Sequence, residues 1–162
     1  PYPSDFHFNF KLGNMLPALQ DFSRLALRLD IEGDYYIKPF LTAFVEAGLV
    51  IGRSEATAQR SGGTFSLVPV SAGLKYVFRS DQHVRPYAGL GLGLGILAAL
   101  VDAPSNDRIG LKFNGLAGVA WLPWRRVGFN AEVSADLAGL TVNQGSNLFF
   151  GFNTNFGVLV LF

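Results

Sequence analysis

Apolar and polar residues alternate one for one along most of this chain, and a period of two leaves few architectures open. From Phe6 the order is Phe-His-Phe-Asn-Phe-Lys-Leu, and from Arg24 it is Arg-Leu-Ala-Leu-Arg-Leu-Asp-Ile-Glu. Successive strand side chains point to opposite faces, so each run carries one greasy face and one polar face. Turn-forming residues punctuate the runs. The pattern predicts eight strands: Phe6–Leu12, Arg24–Glu32, Phe40–Gly52, Phe65–Phe78, Tyr87–Ala98, Leu111–Leu122, Val127–Ala138 and Leu148–Phe162. Connections after the odd strands are polar, as in Ser54–Gly63 and Asp102–Arg108. Those after the even strands are tighter and edged with aromatics: Gly33-Asp34-Tyr35-Tyr36, Ser80-Asp81-Gln82-His83 and Pro123-Trp124-Arg125-Arg126. Unequal ends of this kind belong to up-and-down transmembrane barrels.

Composition decides what the strands face. Hydrophobic residues make up 49% of the 162 and charged residues 15%, against about 25% charged in ordinary soluble domains. A helical span is excluded, since it needs about 20 apolar residues in a row. The uncharged stretch Pro86–Val101 is shorter and carries Gly89, Gly91, Gly93 and Gly95, while Leu137–Phe162 is interrupted by the polar segment Thr141–Asn147. The formal net charge of +1 leaves no footprint for nucleic acid. With no Cys there is no disulfide framework and no thiolate site. No charged and apolar leader opens the chain, as expected of a mature or trimmed form, and residues 1–162 read as a single barrel domain.

One face of the eight strands holds no charge and one clearly polar residue, Thr154. The opposite face holds Lys11, Arg24, Arg28, Asp30, Glu32, Glu46, Lys75, Lys112, Glu132 and Asp136, with small residues such as Gly73, Gly89, Gly91 and Gly93 between them. The interior of eight strands is only just wide enough for side chains to fill, so it cannot take in the whole apolar face. That face must look outward, and in lipid only a closed sheet pairs every backbone group. The expected fold is an all-β, eight-stranded, antiparallel, up-and-down transmembrane β-barrel. Tyr35, Tyr36, Tyr76, Tyr87, Trp121 and Trp124 fall at the tight-turn end and are expected to form an aromatic girdle at one membrane interface.

Tests for chemistry return little. The glycines from 89 to 95 fail the dinucleotide pattern: neither Leu94 nor Ile96 supplies the third glycine, and no helix follows. Of the two His, His83 lies in a turn and His7 starts the first strand, so a nucleophile at the far rim has no base. No catalytic residue, metal ligand or cofactor is expected. The inward charges Arg28, Asp30, Glu46, Lys75, Lys112 and Glu132 should pair, because a charge buried alone is very costly. The expected pairs are Glu46 with Arg28, and Glu132 with Lys75 or Lys112. Such a cluster would either hold the bore shut or gate it.

Two stretches carry a resemblance. Val68-Pro-Val-Ser-Ala-Gly-Leu-Lys-Tyr-Val-Phe78, followed by Arg85-Pro-Tyr-Ala-Gly-Leu-Gly-Leu-Gly-Leu-Gly95, resembles the fourth and fifth strands of the small OmpA/OmpX/OmpW-like bacterial outer-membrane barrels. The last strand, with Phe156, Val158, Val160 and Phe162, is similar to the C-terminal assembly signal of that group. The resemblance implies a bacterial outer-membrane address, periplasmic termini, external loops and insertion by the barrel assembly machinery. The expected role is non-enzymatic and structural, with lipid and lipopolysaccharide as surroundings. The alternatives are a narrow OmpW-like channel for small or apolar solutes and a lipid A-modifying enzyme. Ala43, Ala47, Ala88, Ala98, Ala131 and Ala135 on the outer wall are expected to offer a flat contact for another envelope protein.

Overall fold

The structure is a computed structural model that describes residues 6–17, 25–53, 64–99, 108–142 and 145–162. The predicted polar connections 54–63 and 102–107 lie outside the described residues. Eight strands run through the rest: β1 (Phe6–Pro17), β2 (Ala26–Lys38), β3 (Leu41–Arg53), β4 (Thr64–Val77), β5 (Val84–Ala99), β6 (Arg108–Trp121), β7 (Val127–Val142) and β8 (Gly145–Leu161). Each pairs antiparallel with its sequence neighbours, and β1 pairs with β8 to close the barrel. At the closure Phe162 N donates to Phe6 O at 3.2 Å, which sets both chain ends of the sheet at the tight-turn rim.

The strands run longer than the sequence pattern suggested. β2 continues through Gly33-Asp34-Tyr35-Tyr36, which was expected to turn. Gly33 pairs with Phe8 and Val45, and alternation carries on past it. The turn comes at Pro39 and Phe40, after a bulge between Tyr36 and Lys38. β1 also extends past Leu12 to Pro17, and β7 and β8 run into the expected polar loop.

The two faces sort by parity of position. Phe8, Leu29, Leu92 and Phe156 are exposed on the outer wall, Phe156 to 70%. Lys11, Arg28, Glu32 and Glu46 are buried inside, Glu32 to 0%. This inverts the distribution of a water-soluble protein, whose charged side chains are almost never fully buried. A continuous apolar wall around a polar bore is the arrangement a bilayer demands, since hydrocarbon meets the outside and backbone pairing leaves no free edge.

The bore itself is layered. At the tight-turn end Leu122, Leu159 and Leu161 pack together, and above them Phe44, Val77, Tyr87 and Leu116 form a second apolar layer. The charged residues come next. Beyond them the buried residues are mixed, with Met15, Ala26, Val50 and Leu67 beside Asn153 and Ser66. Glycine makes room for the large Phe44: a Cβ on Gly73 would lie 2.7 Å from the Phe44 ring, and one on Gly91 2.9 Å from it.

Candidate functional site

The site is the ionic layer of the bore, and strand parity alone puts its members there. Lys11 on β1 points along the bore and its Nζ meets three carboxylates: Glu32 Oε2 at 2.9 Å, Glu46 Oε2 at 2.9 Å and Glu132 Oε1 at 2.8 Å. One ammonium with three donors is thereby saturated by strands β2, β3 and β7. Arg28 on β2 makes a second hub, with Nε on Asp30 at 2.6 Å, Nη2 on Glu46 at 2.8 Å and Nη1 on Asp136 at 2.8 Å. Glu46 joins the two hubs through its two oxygens.

Lys75 on β4 completes the lower side. Its Nζ sits 2.5 Å from Glu32 Oε1 and 3.0 Å from Asp34 Oδ1. It also lies over the rings of Phe44 and Tyr87, at 4.9 and 5.2 Å from their centroids, a position that suits a cation facing aromatic faces. Lys112 stands 3.3 Å from Asp136 Oδ1, an ion pair without hydrogen-bond geometry. Neutral groups take up remaining valences. Asn9 donates to Glu32 at 3.2 Å, Asn153 to Asp136 at 2.9 Å, and Asn130 to the Tyr87 hydroxyl at 3.1 Å.

The structure brings all six predicted cluster residues into one network, and the Arg28–Glu46 contact is as the sequence suggested. Glu132 is not: its partners are Lys11 and Tyr87, while Lys75 and Lys112 go to other carboxylates. The reason is reach. Lys11 projects to the axis, where β2, β3 and β7 converge, whereas Lys75 lies nearer Asp34 and the tight-turn end. Sequence reasoning also left Lys11, Glu32, Asp34 and Asp136 out of the cluster. All four occupy inward positions, and Asp34 was hidden by the misplaced turn.

Two girdle assignments are likewise corrected. Tyr87 is buried at 7% exposure and donates its hydroxyl into the bore, and Tyr36 is directed inward, its ring 4.8 Å from that of His7. Even positions of β5 face out and Tyr87 is odd; Tyr35 and Tyr36 are adjacent and must take opposite faces. Tyr35, Tyr76, Trp121 and Trp124 do stand exposed at the tight-turn rim, with Trp121 and Trp124 both beside Phe129. Phe156 and Val158 are exposed on the outer wall of β8, Val160 is half-buried, and Phe162 just past the strand is exposed. Ala43, Ala47, Ala88, Ala131 and Ala135 lie at outward positions; the side chain of Ala98 is outside the described set.

Among the described residues, buried side chains crowd the bore on the tight-turn side of the ionic layer. The space there is a cavity of about 20 Å³ beside His7, Asp34, Tyr36 and Arg85, room for about one water. Among the described residues no group of three His, Cys, Asp or Glu is placed to hold a metal ion. His83 Nδ1 lies 2.9 Å from the Leu122 carbonyl, at the tight-turn rim.

Comparison with protein-family models finds no match, nor does comparison with curated proteins. Solved structures do match over nearly the whole chain. Neisserial surface protein A (NspA) is similar with a TM-score of 0.75 at 18% identity, covering 98% of each chain. The outer membrane protein OprG from Pseudomonas aeruginosa is similar at 0.66 and 14%, covering 98% of this chain and 96% of its own. The outer membrane enzyme PagL is similar at 0.59 and 11%, covering 96% and 99%. The chain therefore has the fold of small eight-stranded outer-membrane β-barrels, a fold that carries both an enzyme and other proteins.

Proposed function

We propose that this chain is an integral barrel of a bacterial outer membrane whose bore is permanently closed, and which serves the envelope as a structural element through its outer wall and loops. The observation that carries the reading is Lys11, buried in the bore and clamped by carboxylates from three strands. Opening such a bore would part several charge-assisted hydrogen bonds at once, each stronger than a neutral one. A narrow channel would need a continuous wet path, and the space beside His7, Asp34 and Arg85 has room for about one water. A catalytic role at the loop rim finds no support in the His residues, which both belong to the opposite end.

The periplasmic placement of the termini, insertion through the C-terminal Phe162 by the barrel assembly machinery, and contact with another envelope protein belong to the same proposal. What supports the first two is the shared rim of both sheet ends and the outward apolar row on β8. The experiment is planar-bilayer recording of the purified barrel beside its Glu46→Ala variant. Absence of steady single-channel steps in the wild type is expected. Reproducible steps that change in the variant would overturn the closed-bore reading. Labelling of Ser80→Cys in intact cells fixes the orientation, with protection from a membrane-impermeant reagent expected.

A further inference from the structure

Asn14 and Thr154 stand in register across the seam where β1 closes on β8, and both are exposed on the outer wall. Directly opposed residues set their Cβ atoms about 4.5–5.5 Å apart, so the two make one polar spot. Everything around it on that wall is apolar: Leu12 and Leu16 on β1, Phe152 and Phe156 on β8, Leu27 on β2 and Val133 on β7. Apart from the girdle aromatics and from Lys38 and Thr64 at strand ends, no other strand side chain of described burial is both polar and exposed. Neither Asn14 nor Thr154 hydrogen-bonds to another described side chain.

Depth and shape give the spot a meaning. From Phe6 to Asn14 the strand climbs ~20 Å, at about 3.3 Å per residue and a tilt of about 40°. The apolar band of such barrels is about 25 Å tall, so the pair lies where acyl chains join their headgroups in the leaflet at the loop end. A groove of about 620 Å³ begins at Asn14 and Thr154 and continues past Leu12, Leu29, Phe156 and Phe129 toward the opposite rim. It is polar at one end only.

We infer that this seam groove binds one lipid acyl chain, with Asn14 and Thr154 holding the linkage at its head and the apolar stretch holding the chain. The chemistry of the pair selects the linkage. An amide and a hydroxyl offer donors as well as acceptors, and a linkage that does the same satisfies both. Amide-linked, hydroxylated acyl chains have that character, whereas the ester carbonyls of a diacylglycerol phospholipid only accept. A second copy of the chain fits less well. A two-fold axis through the spot would set groove against groove, and the enclosed void would forfeit dispersion contacts along its length. The inference does not rest on the closed bore.

Native mass spectrometry of the delipidated barrel tests it, with lipid A as the amide- and hydroxyl-bearing probe and diacylphosphatidylcholine as the ester-only control. The wild type should retain one lipid A per chain with about tenfold preference, the worth of one or two hydrogen bonds. Asn14→Leu/Thr154→Val should lose that preference while keeping its folded, heat-shifted band on a gel. Equal retention of the two lipids by the wild type, or unchanged preference in the variant, overturns the site. Disulfide-linked dimers of Thr154→Cys overturn it in favour of a second copy. Should the double variant not fold, the side-chain amide signal of Asn14 in the labelled wild type is followed instead. It should move with lipid A and not with phosphatidylcholine; no movement overturns the inference.

Discussion

Tyr87 on β5 donates its hydroxyl to Glu132 on β7 at 2.9 Å, spanning strands that do not pair with each other. The contact ties two walls of the barrel through the bore rather than around it. Tyr87→Phe keeps the ring under Lys75 and removes only the hydroxyl. Glu132 retains Lys11, so the loss should be about 1.5–3 kcal/mol, as for a hydrogen bond to a charged group. Urea unfolding from detergent micelles, followed by tryptophan fluorescence, measures it.

Lys11 is the bore's central cation, and its removal should be the most damaging single change. Lys11→Met leaves Glu32 to Lys75 and Glu46 to Arg28 but strips Glu132 of its cation in a buried space, where breaking one pair costs about 3–5 kcal/mol. The network already holds four cations against six carboxylates. Any conductance that appears in this variant should therefore favour cations. Adding Glu132→Gln should recover part of the lost stability. Equal stability of the single and double variants would show that Glu132 is not held by Lys11.

Outer-wall substitutions should follow depth. Leu92 lies mid-strand on β5 and is exposed; Leu92→Arg should cost about 2–4 kcal/mol in a bilayer. Trp124 lies at the tight-turn rim, and Trp124→Arg should cost about 0–1 kcal/mol plus the loss of its contact with Phe129. Folding into phospholipid vesicles against urea distinguishes the two. Similar costs at both positions would place the bilayer elsewhere on the wall.

Gly91 supplies a steric test of the bore's packing. A side chain there would press on Phe44 and Asn114, and overpacking of this kind costs about 1–3 kcal/mol. Gly91→Val should accordingly destabilise, and Gly91→Val with Phe44→Ala should be closer to the wild type than either single change. Additive costs would show that the two residues do not compete for space.

Much of this architecture was legible because a period of two is unforgiving: the parity that sends Phe8 out sends Lys11 in, along every strand. What parity could not supply was distance across the bore. Lys11 pairs with Glu132 from a strand far along the sequence, and nothing local to either residue marks the contact. Asp34 was lost with a turn drawn at Gly33, which is in fact a strand residue opposite Val45. Tyr87 was misassigned because its neighbourhood of aromatics outweighed its odd position. Asn14 escaped notice because the first strand was ended at Leu12, so its partner Thr154 read as an isolated exception on an apolar face.

The hydrogen bond from Phe162 to Phe6 joins the last residue of the chain to the first described one. A ring that is fastened between β1 and β8 closes through contacts far apart in sequence, and such contacts are slow to form. Until then β1 and β8 each present an unsatisfied edge, an invitation to pair with neighbours. Only when the two edges meet does every strand of the sheet have a neighbour on both sides, the condition that hydrocarbon imposes on a spanning sheet.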